Sequence, residues 1–266
     1  MTTKLVRNST RILVVNPNSS ESMTHGIEKA IQGLHLPQSL EIYTYTAPPD
    51  APASINNGED VEKSAEVVYQ NLQGKLGEYD AVLVACFSVH PLVHALARDA
   101  PHATVTGIFE ASVLACLPLL SPPIPGDGKE GEKPMSWGIV TTGKFWEKHL
   151  SDGVKEFLGQ ERGDANHKFA GVQSTGLDAG DFHGGVDPVV IRQKLEEATA
   201  RLLSSARVEC VVMGCAGMAG LEEIIRSVAR REYGKSAGDK VFIVDGIKAG
   251  IGLLEQTVRN RKMFQS

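Results

Sequence analysis

Cys86 and Cys215 are the residues whose type and setting most invite chemistry. Each follows a short strand-like run: the apolar Ala81-Val82-Leu83-Val84-Ala85 before the first, and residues 208–213, apolar apart from Glu209, with Gly214 before the second. Such runs read as buried strands. A thiol just beyond a strand, beside the free N–H groups of a following helix, can exist as thiol and as thiolate around neutral pH. Its ordinary pKa is near ~8.5, and backbone dipoles at that point favour the anion. Two such groups facing each other across a carbon next to a carbonyl could take a proton from one face and return one to the other. Each would be base in one direction and acid in the other. The competing account is that free cysteine is among the most buried residue types. That account suits Cys116 and Cys210, which lie inside apolar stretches and read as core filler.

The elements around the two thiols share one plan. In the first stretch Asp60 precedes a helix with Val61, Ala65, Val68, Leu72 and Leu76 at spacings of 4, 3, 4 and 4, and Gly77 stops it. In the second, Asp187 caps a helix with Pro188 at its first position and Ile191, Leu195, Ala198 and Leu202 at 4, 3 and 4. From cap to cysteine the distance is 26 residues in one case and 28 in the other. The chain therefore reads as internally duplicated, and a pseudo-twofold axis would set the two strand ends on either side of one cleft.

Further elements complete an α/β pattern. The run 11–15 is a β-branched strand halted by Asn16-Pro17-Asn18-Ser19-Ser20, and Ser20 or Ser22 can cap the helix carrying Met23, Ile27, Ala30 and Ile31. A strand is expected at 40–46, a Pro/Asn-rich loop at 47–58, a helix at 91–99 and a strand at 104–108. The Pro-rich, charged stretch 118–135 reads as a mobile surface excursion. A strand resumes at 137–143, another stands at 241–246, and a helix over 247–259 closes the chain. Alternating strands and helices imply parallel sheets covered on both faces, with ligands at the carboxyl ends of the strands. The expected division is a first lobe of residues 10–115 with 237–266 and a second lobe of residues 116–236.

Bulk properties exclude several classes. With 42% hydrophobic and 22% charged residues the chain can bury a sizeable core. A net charge of −5 and the lack of a basic stripe argue against a nucleic-acid or membrane-surface binder. No apolar run approaches the ~20 residues that span a bilayer, and the polar start lacks the apolar segment of a secretory signal. Four cysteines are too few for a disulfide scaffold at 266 residues. A cytoplasmic protein with a small-molecule substrate is the expectation, and the sequons at Asn8 and Asn18 are then chance matches.

Several motifs in order carry a family resemblance. The opening segment ILVVNPNSSESMT over 12–24, Ala85-Cys86-Phe87-Ser88, Gly107-Ile108-Phe109-Glu110-Ala111, Gly138-Ile139-Val140-Thr141-Thr142 and Gly214-Cys215-Ala216-Gly217-Met218 follow one another with sensible gaps. The sequence resembles the hydantoin and allantoin racemases of the aspartate/glutamate racemase superfamily. The resemblance implies two Rossmann-like lobes related by pseudo-twofold symmetry, an active site in the cleft between them, and neither metal nor organic cofactor. It implies Cys86 and Cys215 as the acid/base pair, with Asn18, Ser88, Thr141, Thr142, Gly217 and Met218 holding the substrate's polar ring or carboxylate. Oligomers are common for such folds, so a homo-oligomer is expected. After Ser88 the family's usual Asp-Pro-Gly is replaced by Val89-His90-Pro91.

Rival readings attach to particular residues. His90 and His94 are four apart, as zinc ligands on a helix are, but no glutamate stands between them. His90 four residues after Cys86 suggests a Cys-His nucleophile pair. The run Gly214 to Gly220 is glycine-rich yet matches neither a dinucleotide fingerprint nor a P-loop. The short basic clusters Arg230-Arg231 and 259–262 are solvated helix ends. Within the same superfamily an Asp/Glu-type amino-acid racemase, or a decarboxylase or cis–trans isomerase using one cysteine, would fit many of the same motifs. A small-molecule sensor that kept the cleft is the non-enzymatic alternative.

Overall fold

A computed structural model describes residues 9–121 and 135–265. Most of the Pro-rich excursion and the polar start of the chain lie outside them. The described residues form two four-stranded sheets, parallel throughout.

The first sheet contains β1 (Thr10–Asn16), β2 (Leu40–Thr46), β3 (Ala81–Val84) and β4 (Thr104–Gly107) in the order β2-β1-β3-β4. The second contains β5 (Met135–Thr141), β6 (Phe169–Ser174), β7 (Arg207–Gly214) and β8 (Phe242–Asp245) in the matching order β6-β5-β7-β8. The internal duplication is thus a duplication of topology. In each sheet the chain reverses direction of growth between its first and third strands, and the crevice outside the carboxyl ends at that point is where open α/β sheets take ligands.

Sequence physics explains the central strands. Val82, Leu83 and Val84 are fully buried and carry no polar side chain, as a strand covered on both faces requires. The helices α1 (Glu21–Gln32), α2 (Gly58–Leu72), α3 (Pro91–Asp99) and α4 (Ile108–Cys116) serve the first sheet. The second has α5 (Phe145–Phe157), α6 (Pro188–Ser205), α7 (Glu222–Tyr233) and the single turn α8 (Lys235–Gly238). Caps stand where expected at two of them: Ser20 Oγ accepts from Met23 N at 3.3 Å, and Asp187 Oδ1 from Val189 N at 2.8 Å.

Two expectations are corrected. Helix α2 begins after Asn57, whose Oδ1 accepts from Asp60 N at 3.0 Å, so Asp60 is inside the helix. Asp60 reaches back to accept from Asn56 N at 2.9 Å. The helix ends at Leu72 because Gly74, at φ 71°, turns the chain, and Leu76 is buried from beyond that turn. Counted from Asn57, cap and cysteine are 29 residues apart, closer to the 28 of the second copy. The other correction concerns β8, which pairs with β7 and so belongs to the second sheet, not to the first lobe with the rest of 237–266. Helix α9 (Gly246–Phe264), which follows it, packs on α4, β3 and β4 of the first sheet.

Helices α4 and α9 lie where the two sheets share one core. Ile108, Phe109 and Val113 from α4 meet Trp137, Ile139 and Val212 from the second sheet and Ile247, Ile251 and Leu254 from α9. Burying a side chain of this size contributes about 1.5–3 kcal/mol, so the join between lobes is itself hydrophobic core. Cys116 and Cys210 are fully buried there with Sγ atoms 3.4 Å apart, in keeping with their reading as core filler. Among the described residues, no helix is long and apolar enough to cross a membrane.

Candidate active site

Both thiols stand at a switch point. Cys86 follows β3, and the turn Asn16 to Ser20 follows β1, its neighbour in the sheet; Cys215 follows β7, and Thr141-Thr142 end β5, its neighbour. Ala85 N donates to Val15 O at 2.8 Å and Ser88 N to Cys86 O at 3.0 Å, folding a tight turn in which Ser88 Oγ approaches Cys86 Sγ at 3.4 Å. On the other side Cys215 heads a 3₁₀ turn over Ala216–Met218, and its Sγ accepts from Gly217 N at 3.3 Å. Gly214 lets the end of β7 lie close against β5, since a Cβ there would lie 2.7 Å from Ile139 Cγ2 and 2.9 Å from Thr141 Cβ.

The electrostatics reverse one expectation. Burial pushes the Cys86 thiol up to about 12 and the Cys215 thiol up to about 11. Ser88 lowers the first, and the N–H groups of Gly217 and Met218 lower the second, but desolvation outweighs both. A negative charge on Cys215 raises Cys86 further, so the two thiols stand close enough to feel each other. Mutual repulsion favours the state with one proton removed from the pair over the state with both removed.

The other expected residues divide into groups. Ser88 is buried and touches Cys86. Gly217 offers its N–H to Cys215, and Met218 acts there through its backbone, its side chain being fully buried in the second-lobe core. Asn18 uses its side chain to build the turn: Oδ1 accepts from Ser20 N and Asn16 Nδ2 at 3.0 and 3.1 Å. Its Nδ2 lies 3.0 Å from Met23 Sδ. Thr141 donates to Gly214 O at 2.9 Å, pinning the ends of β5 and β7 together. Thr142 is buried, and its carbonyl accepts from Gly176 N at 3.0 Å.

The family model described as Asp/Glu/Hydantoin racemase matches residues 12–254. The chain belongs to that racemase family. A protein of Schizosaccharomyces pombe, C1F7.10, is 32% identical over 94% of this chain and 92% of its own length. The hydantoin racemase of Pseudomonas sp. (strain NS671) is 27% identical over 93% of this chain and 86% of its own. Among solved structures, the allantoin racemase from Klebsiella pneumoniae superposes with a TM-score of 0.73 at 24% identity, covering 95% of this chain and 89% of that one.

In this racemase-family chain the unusual Val89-His90-Pro91 has a physical account. His90 Nδ1 accepts from Leu92 N at 3.3 Å and caps α3, the job a cap carboxylate would otherwise do. Its Nε2 then carries the proton and donates to Ser64 Oγ at 3.0 Å, and Ser64 Oγ donates to Val61 O at 2.9 Å. Burial lowers the imidazole to about 4, so it is neutral at pH 7. The Cys-His pair is not formed: His90 spends both nitrogens on α2 and α3. Among the described residues no group of three His, Cys, Asp or Glu is placed to hold a metal ion. His90→Ala should lower stability by about 2 kcal/mol, the sum of a lost cap and an orphaned buried hydroxyl. His90→Asn should keep the cap and lose roughly half of that. Urea midpoints at pH 7 measure both, and equal midpoints for the two variants would refute the cap.

Two residues near the thiols went unassigned in the sequence. Glu110 lies in the first turn of α4 with a buried Oε2 that has no hydrogen-bond partner, its carboxyl raised by desolvation and its charge raising Cys86. The motif containing it was visible, but nothing local said that the carboxyl comes near Cys86. His183, in a 3₁₀ turn over Ala179–His183, sits beside Gly217, and no sequence signal pointed to it.

Proposed function

We propose that this protein racemises a five-membered cyclic ureide, a 5-substituted hydantoin or allantoin, by two-base proton transfer between Cys86 and Cys215. The observation that carries the reading is the matched pair of thiols at equivalent strand ends, with Cys86 raised by the charge of Cys215. One thiolate takes the proton from the ring carbon while the opposing thiol delivers its own to the other face, and the pair ends with the roles exchanged. Loss of the ring proton puts charge on the neighbouring carbonyl oxygen, which preorganised neutral donors stabilise best in a water-poor cleft. The residues expected around the ring, Asn18, Ser88, Thr141, Thr142, Gly217 and Met218, are neutral. A planar ring with carbonyl and N–H edges suits such a set better than a free amino acid, whose carboxylate calls for a cation. The name of the Pseudomonas relative supports the same substrate class.

The test is proton exchange. One enantiomer of allantoin or of a 5-substituted hydantoin, incubated with enzyme in D₂O, should lose optical rotation while its ring carbon gains one deuterium, at a rate well above the enzyme-free blank. Rates equal to the blank for both rings, with racemisation of aspartate or glutamate instead, would overturn the cyclic-ureide assignment.

A further inference from the structure

A histidine lies in the seam between the lobes with one nitrogen unused. The His183 ring occupies a slot formed by two glycines. A Cβ on Gly26 of α1 would lie 3.1 Å from its Cε1, and a Cβ on Gly217 would lie 3.0 Å from its Nε2 and 3.4 Å from Cys215 Sγ. The nitrogen and the sulfur thus flank the same point. Helix α1 follows the Asn18 turn, and Gly217 lies two residues beyond Cys215, so the ring stands between the two segments expected to hold substrate.

Its carrier is fixed from both lobes. Asp178 and Asp181 form a capping box around the turn. Ala179 N donates to Asn56 Oδ1 at 3.2 Å and Gly180 N to Ser54 Oγ at 3.1 Å, tying the turn to the first lobe's Pro-rich loop. Nε2 is nevertheless buried without a hydrogen-bond partner. Leaving a buried polar atom unpaired is costly, and a group held in that condition at a functional cleft calls for a reason.

We propose that His183 is a substrate-contacting residue, whose Nε2 is completed by a hydrogen bond from or to the polar edge of the bound ring. This rests on the cyclic-ureide reading of the cleft. The imidazole is neutral, burial holding it below its ordinary range, so it can meet either a ring N–H as acceptor or a ring carbonyl as donor, according to tautomer. A neutral partner matches a neutral ring. The contact should hold ground state and transition state alike, so its loss should raise KM more than it lowers kcat.

The probe is 5,5-dimethylhydantoin, which has the ring's carbonyl and N–H edges but no proton to lose at the substituted carbon. Calorimetric titration of wild type, His183→Phe and His183→Gln separates binding from turnover. The phenyl ring fills the slot without a nitrogen; the Gln amide restores a polar atom near the same place. Expected are binding by wild type, roughly tenfold weaker binding by His183→Phe with an unchanged thermal midpoint, and recovery to within about threefold by His183→Gln. Equal affinity of wild type and His183→Phe would overturn the proposal and leave the cyclic-ureide reading standing. Failure of wild type itself to bind the probe would overturn both. Should His183→Phe fail to fold, the ¹⁵N shift of the His183 Nε2 in wild type decides: movement on adding the probe supports the contact, and no movement overturns it.

Discussion

Cys86→Ser and Cys215→Ser each lower racemisation of a 5-substituted hydantoin by about 10²–10⁴-fold, the usual worth of a positioned general acid or base. A serine hydroxyl is far too weak an acid to supply the missing base at neutral pH, and the exchange of sulfur for oxygen changes little in volume. Both variants should therefore keep the wild-type thermal midpoint. The sharper expectation concerns deuterium. In Cys86→Ser, the proposed mechanism leaves Cys215 facing one side of the ring carbon. It can remove that proton, exchange it with D₂O and return a deuteron to the same face. One enantiomer then becomes labelled with its configuration retained. Cys215→Ser should do the same for the opposite enantiomer. Chiral chromatography with mass detection reads both quantities in one sample. If both variants label the same enantiomer, the thiols do not face each other across the ring. If both still racemise at the wild-type rate, neither thiol moves the proton.

The placement of these thiols was legible because the strands before them are mostly apolar (Ala81–Val84 wholly so, β7 interrupted only by Glu209 after Arg207), close to what a parallel strand buried on both faces needs. Other features depended on partners far along the chain. The edge strand β6 has Gly171 at φ 100° and only two of its six residues buried, so it lacks the alternating or continuous apolar signature of a strand. Leu76 continued the helical spacing of α2 by coincidence, the chain having already turned at Gly74. Strand β8 and helix α9 are adjacent in sequence yet serve different sheets, a division no local pattern encodes. At the site, the cysteines and the segments Asn18, Ser88, Thr141-Thr142 and Gly217-Met218 fall at the two switch points. How much of each side chain is already spent on the fold, as at Asn18 and Thr141, emerged only from the hydrogen bonds. His90 shows the same limit from the other side. Its spacing to Cys86 suggested chemistry, while its contacts make it a helix cap and a tether.

The sign of the thiol shifts was the least legible feature, and it sets the second large expectation: kcat/KM climbs with pH. The Ser88 hydroxyl and the N–H groups of Gly217 and Met218 do favour the thiolates, but desolvation wins, and the folded protein holds Cys86 up to about 12 and Cys215 up to about 11. The proposed two-thiol transfer requires the pair with one proton removed. Below the lower of the pair's two ionisations the population of that state grows tenfold per pH unit. The rate after subtraction of the blank should rise with nearly unit slope from pH 6 to 9, close to a thousandfold across the range. A plateau near pH 7 would mean that the working thiolate ionises well below where burial holds it. Thiolate absorbance gives a second readout free of substrate ionisation. Removing Cys215 removes the like charge that raises Cys86, so in Cys215→Ser the Cys86 thiol should ionise at lower pH than in wild type. Stability follows the same sign. Each thiol ionises more readily unfolded than folded, so the stabilisation is whole below the ordinary thiol range of ~8.5 to 9 and drains away as pH climbs toward the folded values. Denaturant midpoints should accordingly fall between pH 9 and 11 in wild type and fall less in the Cys86→Ser, Cys215→Ser double variant; an equal fall in both would show that the thiols are not held neutral by the fold.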